Sequence, residues 1–168
     1  MRNVFIITCR PGNDALCEEE VGNALYEVDP GLLLKVTRHP GVLLLYTNIE
    51  LEKAFKRLKS FEYGFVERIV PLQSIVEPKE ESVIKAINEL LKNLEEKSLC
   101  IKVKLRGIRG LSKNLWISIA RHLKQLGFSI NSNSTKCIYI EGVGEVIGVS
   151  VLKNKEDRVR KGEFIDNP

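Results

Sequence analysis

With 168 residues, 43% hydrophobic and 29% charged side chains, the chain has the size of one large domain or two small ones and enough apolar side chains for a real core. No apolar run nears the roughly 20 residues a spanning helix needs, and the start, MRNVFIITCRPGND, holds too short an apolar stretch for a secretory signal, so the expectation is an intracellular, cytoplasmic protein. The net charge of +4 is unevenly spread: residues 97–140 hold nine Lys and Arg and no Asp or Glu, whereas residues 1–96 hold 12 basic and 16 acidic side chains. Solubility alone is better served by mixed charges, so the acid-free stretch suggests a polyanionic partner.

Val4–Thr8 is a β-branched apolar run and reads as the first strand. Pro11-Gly12-Asn13-Asp14 is a turn with helix-start chemistry, and Cys17, Val21, Ala24, Leu25 and Val28 follow helical spacing up to Asp29-Pro30-Gly31. Leu32–Thr37 and Val42–Tyr46 read as two strands around His39-Pro40-Gly41. Asn48 is placed to cap a helix with Leu51, Ala54, Phe55 and Leu58 on one face, and Phe65–Leu72 is a further strand. The order β-α-β-β-α-β is that of a ferredoxin-like unit.

Glu80–Glu96 reads as a helix with Val83, Ile87, Leu90, Leu91 and Leu94 facing a core. Leu99–Arg106 alternates as a strand, and Arg106–Gly110 is a loop. Ser112 is placed to cap a helix running to about Leu126, whose buried stripe is Leu115, Ile119, Leu123 and Leu126. Lys136–Ile140 and Glu145–Leu152 are strands joined by a turn at Gly142-Val143-Gly144. The mixed α+β and α/β chain therefore divides into a unit over residues 1–74, a second over 75–152, and a charged, loose tail over 153–168. The tail's Lys153, Lys155, Arg158, Arg160 and Lys161 alternate with acids and read as solvated, or as a clamp on a bound nucleic acid.

The candidate binding residues cluster in the second unit. Lys102, Lys104 and Arg106 alternate with Ile101, Val103 and Leu105, so the three cations share one strand face about 6.6 Å apart. That repeat resembles the phosphate spacing of a nucleic-acid strand, and it is also what the solvent face of a half-buried strand looks like. Arg109 and Lys113 flank the start of the following helix, where free backbone N–H groups and the positive dipole end favour an anion. Arg121 and Lys124 continue the basic stripe along that helix. Gly107 and Gly110 either let a phosphate approach the backbone or serve ordinary turn geometry. Trp116 reads as a core residue beside Ala120 in preference to a base-stacking platform, Tyr139 as structural, and His122 as a boundary residue.

Catalytic signals are missing from the pattern. There is no phosphate-binding glycine loop and no nucleophile elbow. Glu18-Glu19-Glu20 reads as a solvated helix face. Cys9, Cys17, Cys100 and Cys137 lack zinc spacing, and His39 and His122 are too few to complete a metal site, so the cysteines read as buried free thiols. No enzyme, metal or cofactor is expected.

The segments Val103–Lys113 (VKLRGIRGLSK), the helix before them, Tyr139–Ser150 (YIEGVGEVIGVS), Gly41–Thr47 (GVLLLYT) and Val66–Leu72 (VERIVPL) together resemble a THUMP domain preceded by its ferredoxin-like partner. The resemblance covers nearly the whole chain. It implies tRNA binding, often near the acceptor end, by a module that is usually fused to a catalytic domain. With no residues left for such a domain, the chain is similar to stand-alone THUMP proteins. One group of these presents tRNA to a separate RNA cytidine acetyltransferase that makes N4-acetylcytidine. The resemblance thus implies a non-catalytic tRNA adaptor with a modification enzyme as partner. A protein-docking subunit with incidental RNA contact and an unrecognised small RNA-modifying enzyme stay open as alternatives.

Overall fold

The computed structural model describes residues 2–111 and 113–162. The chain forms two compact units, one from residues up to Pro71 together with the segment from Asp157 onward, the other Leu72–Glu156. Among the described residues no helix is long and apolar enough to cross a membrane.

The first unit runs β1 (Asn3–Cys9), α1 (Asp14–Leu25), β2 (Leu33–Val36), β3 (Val42–Thr47), α2 (Leu51–Lys59), β4 (Glu62–Tyr63) and β5 (Val66–Pro71). Its four-stranded sheet has the order β2-β3-β1-β5, antiparallel throughout. The central strand β1 buries Val4, Phe5, Ile6 and Ile7 fully, and the Phe5 ring meets Phe55 of α2 at 6.3 Å between centroids. Polar side chains tie the loops down. Asp29 accepts from the Thr47 hydroxyl at 2.6 Å and from the Asn48 N–H at 3.0 Å, and these bonds hold its carboxyl below the ordinary carboxylate range. Glu20 accepts the backbone N–H groups of Gly64, Phe65 and Val66 at 2.5, 2.8 and 3.1 Å. Of the acidic run on α1, Glu20 is therefore an anchor for the α2–β5 connection, not a solvated charge. Asn48 is not the helix cap: α2 starts at Leu51 with Glu50 in the cap position, and the Asn48 N–H donates to Asp29.

The second unit runs β6 (Ser74–Ile75), α3 (Glu80–Leu90), β7 (Ser98–Arg106), α4 (Leu115–Gln125), β8 (Ser129–Ile130), β9 (Lys136–Val143) and β10 (Val146–Lys153). Its sheet has the order β6-β10-β9-β7-β8, with β7 parallel to both neighbours and the other pairs antiparallel. Both helices pack on one face. Val83 and Ile87 of α3 and Leu115, Ile119 and Leu123 of α4 close over Leu99, Ile101, Ile138, Ile140, Ile147 and Val149. Each such side chain contributes about 1.5–3 kcal/mol on burial. Helix α3 stops at Leu90, short of the expected Glu96, since no basic side chain lies in its last turn and Glu95 and Glu96 would stand at the negative dipole end. Ser112 lies outside the described residues, and α4 begins after Asn114.

Two sequence readings are corrected. The stretch from Lys153 is not a loose tail over the described residues. Its end, with β11 (Arg160–Lys161), belongs to the first unit, where β11 pairs in parallel with β4. Asp157, buried, meets the buried Arg68 guanidinium at 2.5 Å, and its carbonyl accepts the Ile69 N–H at 2.8 Å. Lys161 donates to the Val66 carbonyl at 2.6 Å, and burial pushes its ammonium below the ordinary lysine range. A charged, apolar-poor segment packs here because its charges find buried partners. The first unit ends at Pro71, short of residue 74, because Gln73 bonds to Ser150 and Val151 of β10.

The cysteines are buried but not free. Cys9 pairs with Cys17 across the β1–α1 connection, with Cα atoms 6.3 Å apart. Cys100 pairs with Cys137, its register partner on the neighbouring strand, at 4.3 Å between Cα atoms. Sequence separations of 8 and 37 match no recognised framework; strand register created the second pair. Disulfides persist in oxidising compartments and in the cytosol of hyperthermophiles, and are rare elsewhere.

Candidate nucleic-acid interface

The seven cations singled out by the sequence fall into two groups. Alternation along β7 sends Leu99, Ile101 and Val103 to the helix-covered face and Lys102, Lys104 and Arg106 to the opposite face. On that opposite face β9 contributes Tyr139 and Glu141, both fully buried. The Lys102 ammonium lies 5.2 Å from the Tyr139 ring centroid, 3.4 Å from its hydroxyl and 3.2 Å from Asn154 Oδ1. Asn154 is itself fixed by donating to the carbonyls of Ser132 and Ser134. Arg106 Nη1 lies 3.3 Å from Glu141 Oε2. Lys104 is exposed and stands in register with Glu141. Lys104 and Arg106 thus stand beside the first carboxylate after the acid-free stretch, Lys102 beside Tyr139 and Asn154, and Lys102 and Arg106 are half-buried in internal bonds.

The second group is Arg109 and Lys113 before α4 and Arg121 and Lys124 along it. All four are exposed. Among the described residues none of them has a side-chain hydrogen bond or ion pair. Helix α4 presents Arg121 and Lys124 because its buried stripe is Leu115, Ile119, Ala120 and Leu123, which turns positions 117, 121 and 124 outward. Leu126, expected in the stripe, is instead exposed beyond the helix end. His122 is half-buried, with Nε2 at 2.7 Å from Asn88 Oδ1 of α3.

The loop between the two groups has a backbone reason for its glycines. Gly107 and Gly110 have φ of 66° and 93°, a left-handed conformation that other residues adopt only under strain. A Cβ on Gly110 would lie 2.8 Å from the Pro78 carbonyl oxygen. Close packing of chain on chain therefore accounts for Gly110 without a phosphate.

Trp116 is the residue that the sequence reading misplaced. It is 45% exposed, not a core residue. Its Nε1–H donates to the Ile101 carbonyl at 3.2 Å, at the edge of β7. Periodicity gives no warning of this: position 116 stands at i, i+3, i+4, i+7 spacing to Ile119, Ala120 and Leu123 of the buried stripe, and the side chain is exposed all the same.

Among the described residues no group of three or more His, Cys, Asp or Glu side chains could hold a metal ion. The arrangement offers exposed charge and one aromatic face.

No protein-family model and no curated protein sequence matches the chain. Solved structures do match its fold. The structure of PH1313 from Pyrococcus horikoshii OT3 superposes with a TM-score of 0.60 at 15% identity, over 90% of this chain and 55% of that one. TrmN from Thermus thermophilus gives 0.57 at 17% identity, over 90% of this chain and 46% of that one. A 4-thiouridine synthetase, solved as an RNA complex with bound ATP, gives 0.53 at 15% identity, over 91% and 42%. The chain spans about half the length of these proteins, and at such identities the likeness is one of fold.

Proposed function

We propose that this protein binds tRNA through its second unit and delivers it to a modification enzyme on another chain. The observation that carries the reading is the set of four exposed cations, Arg109, Lys113, Arg121 and Lys124, without a partner among the described residues, in a stretch that has no carboxylate from residue 97 to 140. Exposed charge of one sign, along a helix and in the loop that leads into it, is the electrostatic footprint of a phosphate-binding surface.

The fold supports the same direction. The β2-β3-β1-β5 order fits a ferredoxin-like unit, and the second unit fits a THUMP module. The 4-thiouridine synthetase that shares this fold was solved with RNA, and the shared part is 42% of its length. We read the part present in this chain as a binding module whose chemistry is supplied elsewhere. The adaptor reading, with an RNA cytidine acetyltransferase as the enzyme served, extends this from the sequence resemblance.

A docking role has one observation in its favour. The edge strand β2 leaves Leu33 and Val36 exposed at 40% and 53%, and Tyr26 and Val28 before it are exposed too. The discriminating experiment is binding to bulk tRNA, and to tRNA trimmed of its single-stranded 3′ end, across a salt series. Tight binding that weakens with a log–log slope of about −0.7 to −0.9 per phosphate contact is the expected result. A loss on trimming assigns recognition to the acceptor end. No binding at any salt overturns the RNA reading in favour of docking.

A further inference from the structure

We propose that Trp116 is a stacking platform for one unpaired nucleotide of a bound RNA; the inference rests on the RNA-binding reading and adds what kind of RNA the surface selects.

Trp116 is the only tryptophan in the chain, and nearly half of it is open to solvent. Its one polar atom is already committed, since Nε1–H donates to the Ile101 carbonyl. That carbonyl is available because β8 pairs with Ser98 and Leu99, which leaves the outer edge of β7 without a strand neighbour from Cys100 onward among the described residues. The bond pins the edge of the indole and leaves its ring as apolar surface. An exposed, immobilised indole loses little entropy when a second flat ring covers it.

The space around the ring suits such a guest. Trp116 lines a cavity of about 120 Å³ with Ile101, Ile130 and Ser132, and also a depression of about 510 Å³ along α4, bordered by Ile117, Arg121 and Lys124. Arg121 and Lys124 follow Trp116 along α4 by about 1.4 and 2.2 helical turns and border the same depression. An aromatic plane with cations beside it matches a base next to its phosphates.

The charge pattern chooses among occupants. A duplex buries its base faces in its own stack and would meet only the cations. A neutral protein surface would meet only the ring. An unpaired nucleotide uses both.

The chain's single tryptophan makes the test direct. The intact protein is titrated with an unstructured oligo(U) and with a blunt RNA duplex, following intrinsic emission and, separately, the anisotropy of labelled RNA. Oligo(U) is expected to bind and quench Trp116, and the duplex to bind without quenching. Trp116→Ala is expected to lose at least about fivefold in oligo(U) affinity, the effect of one stacked base, and less than twofold for the duplex. Trp116→Phe, which keeps a flat ring, is expected to retain most of the affinity. Binding of both RNAs with unmoved emission and wild-type affinity in Trp116→Ala overturns the platform and leaves RNA binding standing. Failure of both RNAs to bind at low salt overturns the platform and the RNA-binding reading together.

Discussion

Strand β7 and helix α4 carry the same kind of charge in the same acid-free stretch, yet they use it differently. Lys102 and Arg106 of β7 turn toward Tyr139, Asn154 and the buried Glu141. Arg121 and Lys124 of α4 turn to solvent and meet no partner among the described residues. Regular spacing on a strand tells which side chains share a face. It does not tell what covers that face, and here the covering includes a carboxylate from the adjacent strand. Charge that is already compensated inside the protein adds little to a phosphate site, because a new anion must compete with the old one.

The comparison can be broken at its structural side first. If the β7 face is internal scaffold, the Cys100–Cys137 cross-link on it should matter for stability and not for RNA. Replacing both cysteines by serine is expected to cost about 4 kcal/mol by loop-closure entropy, read by denaturant titration, with tRNA affinity unchanged in the folded protein. A tenfold loss of affinity at full folding would place this face in the binding site.

A smaller effect sharpens the same contrast. Arg106→Ala leaves the Glu141 carboxylate buried without this partner, and is expected to cost about 1–3 kcal/mol of stability. Adding Glu141→Gln removes the stranded charge and is expected to recover most of that loss. Affinity for tRNA should shift less than twofold in either variant. If Arg106→Ala keeps full stability and weakens binding, the guanidinium works on RNA and not on Glu141.

The sequence made the long, strongly patterned elements legible. The apolar run of β1, the alternation of β7 and the stripe of α4 each carry their own periodicity. Elements of two residues, β4, β6, β8 and β11, have none to carry, since they exist through their partners. The same limit applies to pairs that meet across the fold. Arg68 and Asp157 are 89 positions apart, and Cys100 and Cys137 are 37 apart. In the candidate site, the charge asymmetry was visible in composition. Its division into a compensated and an open half was not, because it depends on the register that sets Lys104 beside Glu141. Trp116 shows a finer limit. Its spacing to Ile119, Ala120 and Leu123 puts it on the apolar side of α4, and only the fold shows that this position lies at the edge of β7, open to solvent.

The most direct test of the account compares salt dependence in two variants, Arg121→Gln with Lys124→Gln, and Lys102→Gln with Arg106→Gln, each against the unaltered protein with the same tRNA. The account expects the α4 pair to lose about tenfold in affinity and to flatten the log–log salt slope by about 1.4 to 1.8, the loss of two phosphate contacts. It expects the β7 pair, measured where it is folded, to leave that slope unchanged. A flattened slope in the β7 pair with an unchanged one in the α4 pair would contradict the account and move the RNA to the other face of the sheet.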